Sequence, residues 1–173
     1  MDLGESLTLK LASSEFAEAF VVMHDAFIAA GEDEWNGGAA IAHSDPAGYL
    51  ETLRSWSEGK NLPPNWCPAD CYLIFSRDAV IGQLDIRHPL TEHLKQYGGN
   101  IGYHVHPGYR NRGIATWALQ AALEMLAAKG VPEALLTCGH GNAASIRVIE
   151  KCGGRRIGDS TRRRYLIPVG KRS

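Results

Sequence analysis

The stretch "HPGYRNRGIATW" (residues 106–117) decides how the rest of the chain is interpreted. A turn with two arginines ends at a glycine, and an apolar helical pattern begins directly afterwards. The first N–H groups of a helix lack intrahelical partners, and the helix dipole places partial positive charge there. Gly113 and Ala115 leave room for an anion beside this backbone, and Thr116 adds a hydroxyl. The stretch therefore predicts a phosphate site where a strand, a loop and a helix meet; a glycine needed only for a tight turn is the alternative.

This loop differs from the two best-known nucleotide loops. The chain contains neither G-x-x-x-x-G-K-[ST] nor G-x-G-x-x-G, so neither a P-loop nor a dinucleotide fingerprint is present.

Hydrophobic periodicity around this stretch predicts a mixed α/β fold. The strands are expected at 7–12, 71–76, 79–88, 101–107, 133–138, 154–159 and 163–169. The helices are expected at 15–30, 46–57, 113–129 and 142–152, with residues 89–100 as a polar connection. No repeat or linker interrupts this order, which predicts one domain.

The composition is that of a folded, water-soluble chain. Of its 173 residues 45% are hydrophobic and 21% are charged, which suits one domain with a sizeable core. The first residues lack the basic and apolar regions of a signal peptide, and no apolar run is long enough to cross a membrane. We therefore expect a cytoplasmic protein that does not bind membranes.

The cysteines give no sign of a metal site. Among the four, only Cys67 and Cys71 are close in sequence, and one C-x-x-x-C without a second pair is a poor zinc signal. Reduced thiols and no metal are predicted.

The two parts of the chain carry opposite charge. Residues 1–70 hold 12 acidic and 3 basic side chains, whereas residues 71–173 hold 7 acidic and 15 basic ones. This asymmetry is either incidental or typical of an enzyme with an anionic and a cationic substrate.

Two motifs together resemble one enzyme family. R-x-x-G-x-A at 110–115 resembles the pyrophosphate loop of the Gcn5-related N-acetyltransferases (GNAT), written [QR]-x-x-G-x-[GA]. "NAASIRVIEKCGG" (142–154) is similar to the N-x-x-S-x-R-V-x-E-K-x-G element of the ribosomal-protein acetyltransferase branch. The resemblance covers residues 72–168 well and residues 1–70 only in outline.

The resemblance implies a fold and a division of labour. It implies one GNAT-like domain over residues 1–173, with a mixed, mostly antiparallel sheet splayed at the cofactor cleft and about four flanking helices. Residues 1–70 would form the acceptor side, and residues 71–173 would form the cofactor-binding core and the terminal hairpin. A homodimer is common in the family, and the sequence leaves the oligomeric state open.

The family's cosubstrate is acetyl-CoA, with no metal. Backbone groups of the strand before the loop would bind the pantetheine arm, and amides of the loop would bind the diphosphate. The implied cofactor-binding residues are Tyr103, His104, Val105, Arg110, Asn111, Arg112, Gly113, Ile114, Ala115, Thr116 and Asn142. Asn142 has a second interpretation as a helix cap alone. "TRRRY" (161–165) would bind the cofactor's 3′-phosphate or form a solvated strand face.

Acetyl transfer to an amine requires a proton acceptor and a proton donor. Asp85 and His104 are the preferred base candidates because both belong to the central strands, and His88 is a weaker one. Many family members use a tyrosine as the acid, seven residues after the asparagine; here that position is Ile149. Ser145 is the nearest substitute by motif, or else a surface hydroxyl.

The acceptor prediction rests on one acidic, aromatic loop. Its residues are Glu32, Asp33, Glu34 and Trp35. Such a loop suits a small cationic amine by ion pairing and cation–π contact: a polyamine, an amino sugar or an aminoglycoside antibiotic, whose acetylation would confer resistance. A solvated loop is the alternative. A protein or peptide N-terminus is the second acceptor class, and a non-catalytic acetyl-CoA-binding module, favoured by the missing tyrosine, is the third possibility. Nucleic acid is not expected, because the acidic part would repel phosphate.

Overall fold

The computed structural model describes residues 6–32 and 43–170. The strands are β1 Leu7–Leu11, β2 Ala69–Ser76, β3 Ala79–Arg87, β4 Ile101–Val105, β5 Glu133–Cys138, β6 Arg155–Asp159 and β7 Arg163–Pro168. The α-helices within these residues are α1 Ala17–Ala29, α2 Pro46–Ser57, α3 Glu92–Tyr97, α4 Ile114–Ala128 and α5 Ala143–Lys151.

The strands form two antiparallel sheets. One sheet has the order β1-β2-β3-β4, and the other has the order β5-β7-β6. Hairpins connect β2 to β3 and β6 to β7, at the positions that the alternating pattern predicts. The predicted α/β class and the mostly antiparallel pairing are therefore confirmed.

Capping explains where two helices begin. Pro46 opens α2 after Asp45, whose Oδ1 accepts a hydrogen bond of 3.0 Å from the backbone N–H of Gly48. Thr91 caps α3 in the same way, because its Oγ1 accepts from the N–H of Leu94 at 3.2 Å. The sequence pattern does not reveal α3, since six residues with one buried side chain, Leu94, show no helical period.

Two hydrophobic clusters cover the faces of the four-stranded sheet. On one face α1 and α2 pack against β2 through residues such as Phe20, Leu50 and Leu73. On the other face α4, α5 and the second sheet bury a cluster that includes Leu119 and Tyr165. These two layers cover both faces of the central strands, and β4 forms one edge of the first sheet.

All four cysteines are buried, and none forms a disulfide. Burial raises the pKa of the Cys67, Cys71 and Cys138 thiols. These cysteines are therefore inert thiols at neutral pH.

β4 and β5 meet at one end and separate at the other. The N–H of Asn100 donates to the carbonyl of Leu135 at 2.7 Å, and the N–H of Leu135 donates to the Asn100 side chain at 2.8 Å. Gly99 forms an isolated bridge with Leu136 at the same end. From Ile101 onward, β4 pairs with β3 alone within the described residues. The two strands therefore diverge into a cleft.

Gly99 permits this meeting of strands in two ways. Its φ of +71° is in the left-handed region, and a Cβ there would collide with the carbonyl oxygen of Leu135. Both features require glycine.

Gly99→Ala should lower the free energy of unfolding by about 2 kcal/mol or more, because strain and collision add. The matched control is Gly130→Ala, where φ is +77° and no atom lies within 4 Å of the new Cβ. We expect about 1 kcal/mol there. Urea denaturation measures both; equal losses would show that the collision with Leu135 is unimportant.

Candidate active site

The cleft begins at the N-terminus of α4. Gly113 is the N-cap of this helix, with φ +81° and no side-chain cap, and Asn111 before it also has a positive φ of 62°. No atom lies within 4 Å of the position that a Cβ on Gly113 would take. The start of α4 therefore presents backbone N–H groups and open space, which together suit an anion.

A cavity of about 740 Å³ extends from this helix start along β4 to α5. It is large enough for a cofactor of nucleotide size. Its lining residues are Phe27, Glu32, Tyr103, His104, Val105, Tyr109, Arg110, Asn111, Gly113, Ile114, Ala115, Thr116, Asn142, Ala144, Ser145, Arg147, Val148 and Lys151. Every predicted cofactor-binding residue except Arg112 is among them. Arg112 is exposed and donates to the carbonyl of Gly108 at 3.2 Å.

Arg110 forms a bidentate ion pair at the edge of this cavity. Its terminal nitrogens donate to the two carboxylate oxygens of Glu32 at 2.8 and 2.6 Å, and its Nε donates to the carbonyl of Val105 at 3.1 Å. The hydrogen bond from Arg110 lowers the pKa of Glu32, and the same bond raises the pKa of Arg110. Glu32 is thus an ionised carboxylate whose charge is compensated by Arg110. The other predicted acceptor residues, Asp33, Glu34 and Trp35, lie outside the described residues.

A second cavity, of about 370 Å³, lies at the end of the cleft where β4 and β5 converge. Its lining residues are Arg87, Tyr97, Gly98, Ile101, Gly102, Tyr103, His104, Leu136, Thr137, Cys138, Asn142, Ser145, Ile149 and Arg162. Four residues line both cavities: Tyr103, His104, Asn142 and Ser145. The two cavities therefore meet at these four residues, with the Tyr103 and His104 side chains on opposite faces of β4.

His104 is the titratable side chain at this meeting point. Burial lowers its pKa, and the charge of Asp85 acts in the opposite direction. His104 is therefore neutral at pH 7 and can accept a proton.

Asp85 is buried, lies opposite Gly102 on the sheet face that His104 shares, and lines neither cavity. Its Oδ1 accepts a hydrogen bond of 2.9 Å from the side chain of Gln83, and its Oδ2 lies 3.5 Å from Nη2 of Arg87. The three side chains belong to alternate positions of β3, so they share one face of the sheet. Asp85 acts on the cleft through its charge.

Tyr103 and Ser145 form a hydroxyl pair across the cleft. The oxygen atoms lie 2.9 Å apart, and either hydroxyl can donate. Burial raises the pKa of Tyr103 to about 12. Tyr103 therefore keeps its proton at neutral pH. The predictions for Tyr103 concern its backbone only, and the alternation of β4 gives no sign that its hydroxyl reaches α5.

Asn142 caps α5, since its Oδ1 accepts from the N–H of Ser145 at 3.0 Å. This cap fixes the Ser145 backbone beside Tyr103. Ile149, at the usual tyrosine position, is buried with an exposed fraction of 1%. It touches the smaller cavity with an apolar side chain, so it supplies no proton.

Several cavity residues have no counterpart in the sequence predictions. Arg147 and Lys151 add positive charge to the larger cavity. Arg87 and Thr137 line the smaller one. Of the predicted "TRRRY" stretch, Arg162 also lines the smaller cavity, whereas Arg163 and Arg164 line neither. These positions come from α5, β3, β5 and the turn between β6 and β7, so only the tertiary structure reveals that they are neighbours.

Comparison with known proteins decides the family. The family model described as "Acetyltransferase (GNAT) domain" matches residues 8–155. The chain belongs to the GNAT acetyltransferase family. The resemblance and the enzyme class predicted from the two motifs are therefore confirmed. The comparison with curated protein sequences finds no match.

Solved structures share the fold at low sequence identity. RimL, a ribosomal L7/L12 α-N-protein acetyltransferase in complex with coenzyme A, has a TM-score of 0.73 at 17% identity, over 95% of this chain and 94% of that one. Mycobacterium smegmatis RimJ, in complex with a CoA disulfide, has a TM-score of 0.70 at 20% identity, over 93% of this chain and 80% of that one. The microcin C7 self-immunity acetyltransferase MccE, in complex with acetyl-CoA and AMP, has a TM-score of 0.71 at 17% identity, over 94% of this chain and 92% of that one. CoA in structures of this fold agrees with the predicted cosubstrate.

Within residues 6–32 and 43–170, none of the helices combines the length and apolar character that a membrane span requires.

Ala115→Leu should weaken CoA binding by about tenfold or more, because the larger side chain occupies the space at the start of α4. Ala127→Leu, at the exposed other end of the same helix, is the matched control and should bind CoA normally. Isothermal titration calorimetry with CoA measures both. Equal affinity in the two variants would exclude a diphosphate site at this helix start.

Proposed function

We propose that acetyl-CoA binds in the larger cavity and that the acetyl group is transferred directly to a primary amine in the smaller one. The observation that carries this proposal is the meeting of the two cavities at His104, Tyr103, Ser145 and Asn142. A thioester reaching this group from one side and an amine reaching it from the other would be in contact.

The larger cavity matches the parts of CoA by chemistry. The backbone amides of residues 111–116 and the dipole of α4 suit the diphosphate, and Arg147 and Lys151 add charge for phosphate groups. The pantetheine arm carries two amides, and the edge of β4 beyond Ile101 has backbone groups that no other strand pairs within the described residues. By the register with β3, the backbone groups of Tyr103 and Val105 face the cleft, whereas those of His104 face Gln83 of β3. The Tyr103 backbone and the Val105 N–H are thus placed for the arm, and the Val105 carbonyl already accepts from Nε of Arg110.

His104 is the proposed general base. The nitrogen of the neutral amine attacks the thioester carbonyl, a C–N bond forms, and the C–S bond breaks. The proton that leaves the nitrogen goes to the imidazole of His104. The negative charge of Asp85 stabilises the imidazolium that results, so Asp85 is a positioning residue rather than the base.

Ser145 is the proposed donor to the leaving sulfur. Its hydroxyl protonates the thiolate, and the Tyr103 hydroxyl, 2.9 Å away, replaces the proton. Water then returns a proton to Tyr103 while His104 releases its proton to water, so the net transfer is one proton from the amine to CoA. Because Tyr103 keeps its proton at neutral pH, the pair is ready to donate in each cycle. The hydroxyl pair would thus replace the family's usual tyrosine acid, whose position in this chain is Ile149.

Two acceptor classes follow from different observations. The hypothesis of a small cationic amine depends on the acidic loop. In that loop Glu32 is ion-paired with Arg110, and the other residues lie outside the described residues. The peptide N-terminus rests on the similar fold of RimL, which acetylates the ribosomal protein L7/L12. Both classes present a primary amine, which is the part the site must hold.

Release of free CoA thiol from acetyl-CoA, with a panel of amines, tests this proposal. The panel includes polyamines, aminoglycosides and peptides that begin with serine or alanine. Release that depends on one amine class, with the acetylated amine found by mass spectrometry, would support direct transfer. Tight CoA binding with background release for every amine would contradict it and favour the non-catalytic binding module.

His104→Gln should lower kcat by about 100-fold or more, because the variant cannot accept the amine proton. In the wild-type protein kcat should persist below pH 6.5, since burial lowers the pKa of His104, and then fall as the imidazole becomes protonated. The variant should lack this acidic limb.

The matched control for this prediction is His88→Gln. His88 is exposed and lines neither cavity, so kcat and its pH profile should stay as in the wild-type protein. An unchanged acidic limb in His104→Gln would assign the base to another group.

A further inference from the structure

Arg87 is a buried cation whose donors are incompletely paired within the described residues. Its exposed fraction is 7%. Nη1 donates to the carbonyl of Gly99 at 3.4 Å, Nη2 lies 3.5 Å from the Asp85 carboxylate, and Nε has no hydrogen-bond partner among these residues. Both distances are at the long limit for hydrogen bonds to a guanidinium. A buried charge with such weak partners is costly unless another anion completes its set.

Two glycines leave the end of this guanidinium open to the smaller cavity. A Cβ on Gly102 would lie 3.0 Å from Nη2 and 3.3 Å from Nη1, and one on Gly98 would lie 3.7 Å from Nη1. Both glycines line the cavity beside Arg87. The ring of Trp66 lies 5.7 Å from Cζ and restricts the orientation of the group.

A second arginine lines the same cavity from the terminal hairpin. Arg162 donates through Nε to Thr137 Oγ1 at 3.2 Å, and both residues line the cavity wall. Among the described lining residues there are two arginines and no aspartate or glutamate. The described cavity wall therefore presents two positive side chains, and Asp85 compensates part of the charge of Arg87 through the 3.5 Å contact.

We infer that the smaller cavity selects acceptors in which a carboxylate stands near the primary amine, and that Arg87, assisted by Arg162, binds this carboxylate. The inference rests on the proposed function and specifies its acceptor. At about 370 Å³ the cavity suits a free amino acid or the first residue of an acidic peptide N-terminus. Both share the same chemistry, an amine and a carboxylate a few bonds apart.

The same charges disfavour a purely cationic acceptor. A polyamine would bring a second positive charge into this cavity without a carboxylate to compensate it. The lining therefore opposes the cationic acceptor class.

Matched acceptor pairs test this selectivity. Peptides that begin with aspartate are compared with those that begin with asparagine, and glutamate with glutamine, because each pair differs in charge at nearly constant shape. Free aspartate and glutamate form the second arm, and a simple alkylamine reports transfer without a carboxylate. We expect kcat/KM for the acid of a pair to exceed that for its amide by about tenfold or more. Whether the acidic peptides or the free amino acids have the higher kcat/KM shows which of the two is the preferred acceptor.

Two arginine variants separate binding from structure. Arg87→Gln and Arg162→Gln should each move the acid-to-amide ratio toward one, chiefly through KM for the acid. Arg162 is only partly buried, so its variant keeps the test valid if Arg87→Gln fails to fold. The matched control is Arg155→Gln, an exposed β6 residue that lines neither cavity, and it should keep the wild-type ratio.

The outcomes distinguish the inference from the proposed function beneath it. Equal kcat/KM for acids and amides in the wild-type protein, with acetyl transfer intact, would overturn the inference alone. So would a wild-type ratio retained in both arginine variants. Absence of transfer to every amine, including the alkylamine, would instead overturn the proposed function.

Discussion

The site depends on the contact that holds β4 to β5 at one end only. Asn100 and Leu135 exchange two hydrogen bonds there, and Gly99 permits the approach. If the strands stayed paired, a continuous sheet would leave no cleft, and if this contact were absent, nothing would fix the angle between the two sheets. One point of attachment therefore produces both cavities, and packing on both sides of the first sheet keeps them in place.

Charge is arranged along this cleft in a consistent order. The larger cavity has the start of α4, Arg147 and Lys151, all suited to phosphate, at its outer part. The shared group has a neutral histidine and two hydroxyls, which suit proton transfer. Beyond it, Arg87 and Arg162 face the smaller cavity. On β3, the charge of the Asp85 carboxylate raises the pKa of His104 and so opposes the effect of burial.

The local parts of this structure follow from the sequence, and the assembled site does not. The boundaries of α2 and the position of the anion loop follow from caps, proline and glycine, which act over a few residues. The short α3 has too few apolar residues to show a period. The sequence marks His104 and Ser145 but not the Tyr103 hydroxyl or Arg87, because their roles depend on which side of a splayed strand each faces. The cationic acceptor loop stays a prediction, since most of it lies outside the described residues.

The ion pair between Arg110 and Glu32 would couple the binding of the two proposed substrates, if each residue binds the substrate predicted for it. Arg110 belongs to the predicted anion loop, whereas Glu32 follows the end of α1. Nη1 and Nη2 of Arg110 both bind Glu32, and Nε binds the Val105 carbonyl. A phosphate that bound Nη1 and Nη2 would therefore have to displace the Glu32 carboxylate. The binding free energy of one ligand then includes the cost of releasing Glu32. By reciprocity, anything that recruits Glu32 elsewhere strengthens binding at the loop by the same factor.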